Sequence, residues 1–484
     1  MAPLSPLDER TDAMMIPSFL PRIGALLLVP LLALGASAGA AAQGQADAAL
    51  VQRGRYLATA GDCVACHSVG GGKPMAGGLA LATPLGDIVS TNITPSTSHG
   101  IGNYTLRQFA DALRKGVRAD GAHLYPAMPY TAYATVTDAD VAALYAYFMH
   151  GVAPVDAAPA RRTDLPFPFS VRMSMAGWNL LFLDRKPFVA DTAQSAEWNR
   201  GAYLANGLAH CTTCHTPRNA LMAEDLSRNL GGSSLGTWFA PNITSDMQSG
   251  VGTWSTQELA DYLRTGRAAG KAQAAGPMAE AIDHSLRHLS EDDLRAIATY
   301  VKSVPAVHDA ADTVPAHARG GAVNGMAYLR GEALPTDPDK MSGAQLFDAH
   351  CATCHQAGGQ GSFDGRLPSL FHNTVLGRAN GDNLVMAMLD GVRREQEQGD
   401  AMETRMPAFR NALDDTQVAT LATYLTATYG NPQAKVTADQ VRTLRTGGPT
   451  SRLVTLARVG MALGVIALLA LAFWLANRRK RRRS

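Results

Sequence analysis

The sequence predicts a mostly α chain built from three tandem units and closed by one C-terminal membrane-spanning helix. Three observations carry that prediction. The pattern Cys-X-X-Cys-His occurs at residues 63–67, 211–215 and 351–355, and uses all six cysteines of the 484 residues. The segments around the first two copies repeat one another at matching intervals. An uncharged, almost wholly apolar run at 459–476 stands just before a cluster of six basic residues.

The cysteine pattern names a cofactor. In each copy two thiols (Cys63 and Cys66, Cys211 and Cys214, Cys351 and Cys354) can add across the vinyl groups of a haem. The adjacent His67, His215 or His355 then reaches the iron from the same turn. A zinc site would need two cysteine pairs converging on one metal. A thioredoxin-like dithiol would need a βαβ setting and no histidine. Three covalently bound haem c groups are therefore expected. The motifs lie 148 and 140 residues apart, so one haem per unit fits domains of about 100–150 residues. Aromatic residues make up only 6 %, which suits domains whose apolar filler is partly the haem itself.

The elements follow in order. Residues 1–42 read as a signal peptide: an apolar core at 23–34 follows Arg22, and small residues lead to an Ala-X-Ala site at Ala40–Ala42. The acidic Asp8, Glu9 and Asp12 do not suit its basic start, which points to translation from Met14 or Met15. An uncleaved N-terminal anchor is the rival reading.

Unit one (43–155) and unit two (191–310) carry the repeat. Gly54-Arg55-Tyr56-Leu57 matches Gly201-Ala202-Tyr203-Leu204, and Asn92-Ile93-Thr94 matches Asn242-Ile243-Thr244. A Gly-X-Gly follows at Gly100/Gly102 and Gly250/Gly252. An amphipathic Ala-Asp-X-Leu-Arg-X-Gly then runs over 110–116 and 260–266. Each unit closes on a helical pattern, at 137–149 and 290–302, and Ser290 with Asp293 resembles a capping box. Unit three (336–432) is shorter, with a helix expected over 415–428 capped by Asp414 or Asp415. Connectors are expected at 156–190, 311–335 and 433–451. The first is rich in Pro and Phe, a composition that predicts packing rather than a loose tether. Strand patterns are weak throughout.

A haem iron held by histidine on one face needs a partner on the other. A thioether there favours ferrous iron, as in electron carriers; an open position would allow substrate chemistry. Met128 lies 61 residues after His67, Met278 63 after His215, and Met406 51 after His355. Each adjoins a proline that stiffens its loop. Most methionines are core filler, but Met128 and Met278 occupy the same place in the repeat, twelve residues past the glycine. Met402 rivals Met406 and Met247 rivals Met278, while Met75 follows its motif too closely. A carbonyl acceptor for the proximal histidine is expected at Pro368 in unit three; in units one and two no proline lines up. Tyr104/Trp254 and Arg114/Arg264 match between units, as haem-propionate partners or as ordinary packing and solvated surface. His99, His123, His210, His284, His288, His350 and His372 read mostly as surface residues.

Charge fixes the topology. Residues 43–451 hold 33 basic and 38 acidic side chains, so no nucleic-acid partner is expected. The span at 452–476 is long enough to cross a bilayer. Trp474 suits the interface, and the basic tail at 477–484 (Arg478, Arg479, Lys480, Arg481, Arg482, Arg483) should stay cytoplasmic. The body then lies on the periplasmic side of the inner membrane.

Several stretches together resemble a known family. They are Gly61-Asp62-Cys63-Val64-Ala65-Cys66-His67, Ser90-Thr91-Asn92-Ile93-Thr94-Pro95 and Leu124-Tyr125-Pro126-Ala127-Met128-Pro129-Tyr130. To these add Leu144-Tyr145-Ala146-Tyr147-Phe148-Met149-His150-Gly151-Val152, Gly276-Pro277-Met278-Ala279-Glu280 and Leu367-Pro368-Ser369-Leu370-Phe371-His372-Asn373. Over nearly all of 50–430 the chain resembles the tri-haem cytochrome c subunit of membrane-bound periplasmic dehydrogenase complexes that oxidise alcohols, gluconate, sorbitol, fructose or aldehydes. The resemblance implies three tandem class I-like cytochrome c domains. It also implies a separate large catalytic subunit with a flavin or quinone cofactor, a small accessory subunit, and ubiquinone or a terminal oxidase as acceptor. The chain has no Gly-X-Gly-X-X-Gly after a strand and no nucleophile motif, so no substrate-oxidising site of its own is expected. A haem enzyme with an open iron, or a cytochrome subunit of a terminal oxidase, are the alternatives.

Overall fold

The computed structural model describes residues 47–323, 326, 329–394, 405–449 and 451–482. The chain divides into two compact units, 1–50 and 51–484. In the first, residues 47–50 are helical; all that follows concerns the second. The expected signal peptide, Met402 and Arg483 lie outside the described residues.

Each repeat opens and closes with a helix, and the two helices cross at a glycine. A β-carbon on Gly54 would stand 1.9 Å from the Ala143 carbonyl oxygen, one on Gly201 1.9 Å from that of Ala296, and one on Gly343 2.3 Å from the β-carbon of Tyr424. Only hydrogen fits there. Between the crossing helices lie the short haem-motif helices (Cys63–His67, Cys211–His215, Ala352–His355) and middle helices such as Leu106–Lys115 and Thr256–Thr265. The middle helices of units one and two start at full capping boxes, Thr105 with Gln108 and Ser255 with Glu258, and stop at left-handed Gly116 and Gly266. Among the described residues the strands form only two-stranded antiparallel ladders. The protein is mostly α, as its patterning predicts.

Units one and two share one hydrophobic core, with Leu57, Val141 and Leu144 joined to Leu204, Leu208, Ile282 and Leu294. Unit three has its own, around Phe347, Val385, Leu389, Val418 and Leu425.

A reciprocal polar exchange joins units one and two. Arg53 of the first opening helix donates to Asp140 on its own closing helix (2.8 Å), and Tyr203 of unit two donates to the other oxygen of Asp140 (2.6 Å). In mirror fashion Arg200 donates to Asp293 (2.7 Å), and Tyr56 of unit one completes it (2.6 Å). Each tyrosine hydroxyl also accepts the backbone N–H of the opposite helix cap, Ser290 at 3.1 Å and Thr137 at 3.4 Å. This corrects the capping box expected at Ser290. The Ser290 side chain does cap Asp293 N–H, but the Asp293 carboxylate is committed to Arg200 and Tyr56, and the hydroxyl of Tyr56 serves the cap instead.

Unit three meets unit two through Trp238, which packs against its core, and through polar groups. The Asn383 amide bonds both the N–H and the carbonyl of Phe239, each at 2.8 Å, and Arg394 pairs with buried Asp283 at 2.7 Å. In unit three Asp414 is the cap, in a full box with Gln417, and the last helix runs Asp415–Tyr429.

The first connector packs as its composition predicts. Leu165 is buried, and the Tyr125 hydroxyl donates to the carbonyl of Phe169. Its helix Ser174–Phe182 has an unusual orientation. Asn179 is buried, accepting from Tyr130, while Leu180 and Leu181 are exposed. The stretch expected as a third connector contains the helix Ala438–Arg445, with Val441 and Leu444 set into the core of unit three. The terminal helix Leu453–Arg481 has a mean hydropathy of 2.4 in its most apolar stretch and no buried residues there. It runs past the expected end of the span because the basic tail consists of good helix formers. Arg478 lies 4.4 Å over the Trp474 ring.

Candidate functional site

Each haem motif is a single helical turn, which sets its two cysteines at i and i+3 on one face with the histidine next in line. Left-handed residues, Asp62 (φ 51°) and His210 (φ 37°), turn the chain into the first two motifs. None of the six cysteines is in a disulfide. Burial pushes the thiols up, Cys63, Cys211 and Cys351 to about 12 and Cys66 to about 11. No cluster of three or more His, Cys, Asp or Glu that could hold a bare metal ion occurs among the described residues.

All three proximal histidines are oriented by a backbone carbonyl. His67 Nδ1 lies 2.6 Å from Thr91 O, His215 Nδ1 2.7 Å from Pro241 O, and His355 Nδ1 3.0 Å from Pro368 O. Donation from Nδ1 leaves the Nε2 lone pair free for a metal. Burial also holds each ring below the ordinary histidine pKa, keeping it in the neutral, ligating form. Pro368 is the acceptor expected from sequence. Thr91 and Pro241 were missed, although both immediately precede the repeated Asn-Ile-Thr. A carbonyl acceptor leaves no mark on side-chain identity; only its position in the repeat reveals it.

Unit two opens a cavity with a predominantly apolar lining. Cys211, Cys214, His215 and Met278 all face it, as do Trp254 and Tyr262. Paired thiols, one imidazole and one thioether around a large apolar slot fit a flat macrocycle carrying an iron. Met128 packs against the shared core and Met406 against that of unit three. Of the rivals, Met247 is 53 % exposed and Met75 is buried in the core.

The matched side chains divide. Trp254 is buried and faces the cavity, edge-on to Tyr262. The hydroxyl of Tyr104 accepts the Ala119 N–H at 3.3 Å. Arg114 and Arg264 reach the first turn of their closing helices, at Asp138 (2.7 Å) and Glu291 (3.7 Å), and so brace helix to helix. His210 differs from the surface expectation: it stacks edge-on against Tyr133 of unit one, and burial pushes its pKa down to about 4. Sequence reasoning also missed Arg378 of unit three, which lines the cavity of unit two.

The cytochrome c family model matches residues 51–151, 199–305 and 341–428. The chain is 48 % identical to the fructose dehydrogenase cytochrome subunit of Gluconobacter japonicus, over 89 % of this chain and 92 % of that protein. It is 43 % identical to the gluconate 2-dehydrogenase cytochrome c subunit of Pantoea cypripedii, over 84 % and 92 %. It is 37 % identical to the cytochrome c subunit of a quinone alcohol dehydrogenase from Gluconobacter oxydans, over 86 % and 87 %. The chain therefore belongs to the cytochrome c family and carries three haem c groups, one in each matched stretch.

Proposed function

We propose that this protein is the electron-transfer subunit of a membrane-bound dehydrogenase complex. It takes electrons from a large catalytic subunit with a flavin or quinone cofactor, accompanied by a small accessory subunit. It passes them through three haems to ubiquinone or a terminal oxidase. The observation that carries the reading is His215 facing the same apolar cavity as Met278, a ligand pair that closes an iron to substrate. By position in the repeat, Met128 serves His67 in the same way, and Met406 serves His355. The paired cysteines tether the three groups.

Bound haem supplies a one-electron couple at each site. The protein supplies the rest. Carbonyl-anchored histidines and a thioether hold each site in one geometry across both oxidation states. Apolar walls keep water off, and the shared core of units one and two holds their motifs at fixed separation. The names of the relatives support a catalytic dehydrogenase as partner.

The terminal helix anchors the complex with its basic end cytoplasmic and the haem units periplasmic. Arg458 donates to the Phe167 carbonyl at 3.0 Å, bringing the first connector to the start of the span. Exposed Phe167, Val171, Met173, Leu180 and Leu181 on that connector suit a body resting on the headgroups.

The test is anaerobic. The intact complex is purified and its haem spectrum recorded while primary alcohols, aldehydes, gluconate and polyols are added singly. Reduction by one substrate, lost when the partner subunit is stripped away, is the expected result. No reduction by any of them, with carbon monoxide binding to the ferrous protein, would overturn the reading in favour of an open-site haem enzyme.

A further inference from the structure

Arg378 belongs to unit three, immediately after the helix Thr374–Gly377, yet its side chain lines the cavity of unit two beside His215 and Trp254. Its Nε is buried without a partner. Among the described residues its hydrogen bond is a long one, 3.5 Å from Nη2 to the carbonyl of Ser249. The neighbouring cation Lys271 is matched by Glu258 at 2.6 Å. Burial pulls the Arg378 guanidinium below its usual pKa, and the more distant charge of Asp312 only partly offsets this. A guanidinium in an apolar pocket with one marginal acceptor is costly unless an anion completes it. Its planar fork is shaped for a carboxylate.

We propose that Arg378 is a carboxylate-binding residue reaching across the domain boundary, and that its guanidinium pairs with a propionate of the haem held by Cys211 and Cys214. Arg114 and Arg264, the arginines that sequence symmetry offers for this role, lie 2.7 Å from Asp138 and 3.7 Å from Glu291, and neither is among the residues that line this cavity. The partner of the unit-two group instead comes from unit three, where no repeat points to it. The contact does two things. It makes the seating of unit three depend on a filled cavity in unit two. It also places a fixed positive charge near one iron of the three, favouring the ferrous state there.

The proposal rests on the haem reading and is tested separately from it. The full-length complex is prepared as wild type, Arg378→Met, Arg378→Lys and Arg264→Met. Haem per chain is counted by pyridine haemochrome, and midpoint potentials are measured by optical titration from pH 5 to 8. Three haems per chain are expected in every variant; any other count in the wild type would sink the haem reading itself. With three haems present, Arg378→Met is expected to lower one potential of the three by roughly a tenfold change in its reduction equilibrium, about 59 mV for one electron. That potential should also become more pH-dependent as the released propionate titrates. Arg378→Lys should restore most of the shift, and Arg264→Met should leave all three potentials in place. Three haems with unchanged potentials in Arg378→Met would overturn the proposal. If Arg378→Met fails to accumulate, Arg378→Gln decides. A glutamine removes the charge and keeps a polar head, so a lowered potential confined to one haem supports the pairing. No shift, or one spread over all three, refutes it.

Discussion

Units one and two are bound to each other quite differently from the way unit three is bound to them. The first two merge into one hydrophobic core and exchange matching tyrosines onto matching aspartates. Unit three keeps a separate core, on which only Trp238 of unit two packs among the described residues, and attaches otherwise through polar groups, among them an asparagine, a buried ion pair and an arginine in its neighbour's cavity. The reciprocal pair has the form of an isologous dimer joined in one chain, in which each contact occurs twice. The third unit adds a heterologous contact that nothing in the repeat anticipates. Repetition within a sequence therefore sets the residues of the symmetric interface at matched positions and leaves no mark of the asymmetric one.

The largest test removes a tether. Cys211→Ala with Cys214→Ala should drop haem content by one per chain and expose both units one and two to limited proteolysis, since they share a core. Cys351→Ala with Cys354→Ala should leave 51–305 protected. Equal sensitivity of all three units in both variants would break the comparison. Next is Arg394→Ala, which leaves buried Asp283 without its partner across the boundary. Breaking such a pair costs about 3–5 kcal/mol, and the second arginine at 3.5 Å from Asp283, Arg287, should hold the loss near the lower end. Denaturant unfolding should then separate unit three from the pair as an earlier transition, whereas one unsplit transition would show that the pair does not couple them.

Gly201→Ala forces a methyl against the Ala296 carbonyl and should cost about 1–3 kcal/mol, seen as a lower unfolding midpoint. Tyr203→Phe should cost more than Tyr56→Phe. Both lose a hydrogen bond to a carboxylate, worth about 1.5–3 kcal/mol, but Tyr203 is buried and Tyr56 only half so. Equal losses would mean that burial does not distinguish the two halves.

The smallest effect is in acid. Burial by itself would raise the Asp293 carboxyl, but the hydrogen bonds from Arg200 and Tyr56 hold it below the ordinary value. A depressed carboxylate contributes stability above its unfolded pKa, about 3.9, and loses it as pH falls through the folded value. Wild type should therefore lose its advantage over Asp293→Asn below about pH 4. An advantage that persists at pH 2 would assign it to packing.

Much of the site was legible because its chemistry sits in side chains at fixed spacing: two thiols and an imidazole in one turn, a methionine at one place in the repeat. The glycines at the heads of units one and two were legible too, although their reason, the crossing of two helices, was not. What escaped was carried by backbone or by the fold. The carbonyls of Thr91 and Pro241 have no side-chain signature. The Arg53–Asp140 and Arg200–Asp293 pairs lie at matched positions, but only the fold shows that the tyrosines answer across units. Asp293 was misread because a cap-box acid and an interface acid occupy the same third position of a helix. The helix Ala438–Arg445 looked like connector because it sets only two apolar side chains, Val441 and Leu444, into the core.

The tether between the symmetric halves has a consequence for assembly. Two free subunits with this interface would separate on dilution. Joined by the connector through 156–190, they meet at an effective concentration on the order of millimolar, whatever the amount of protein in the cell. Haem insertion into either half then never has to wait for a partner to arrive by diffusion, and an interface mutation that would dissolve a dimer here only loosens a hinge.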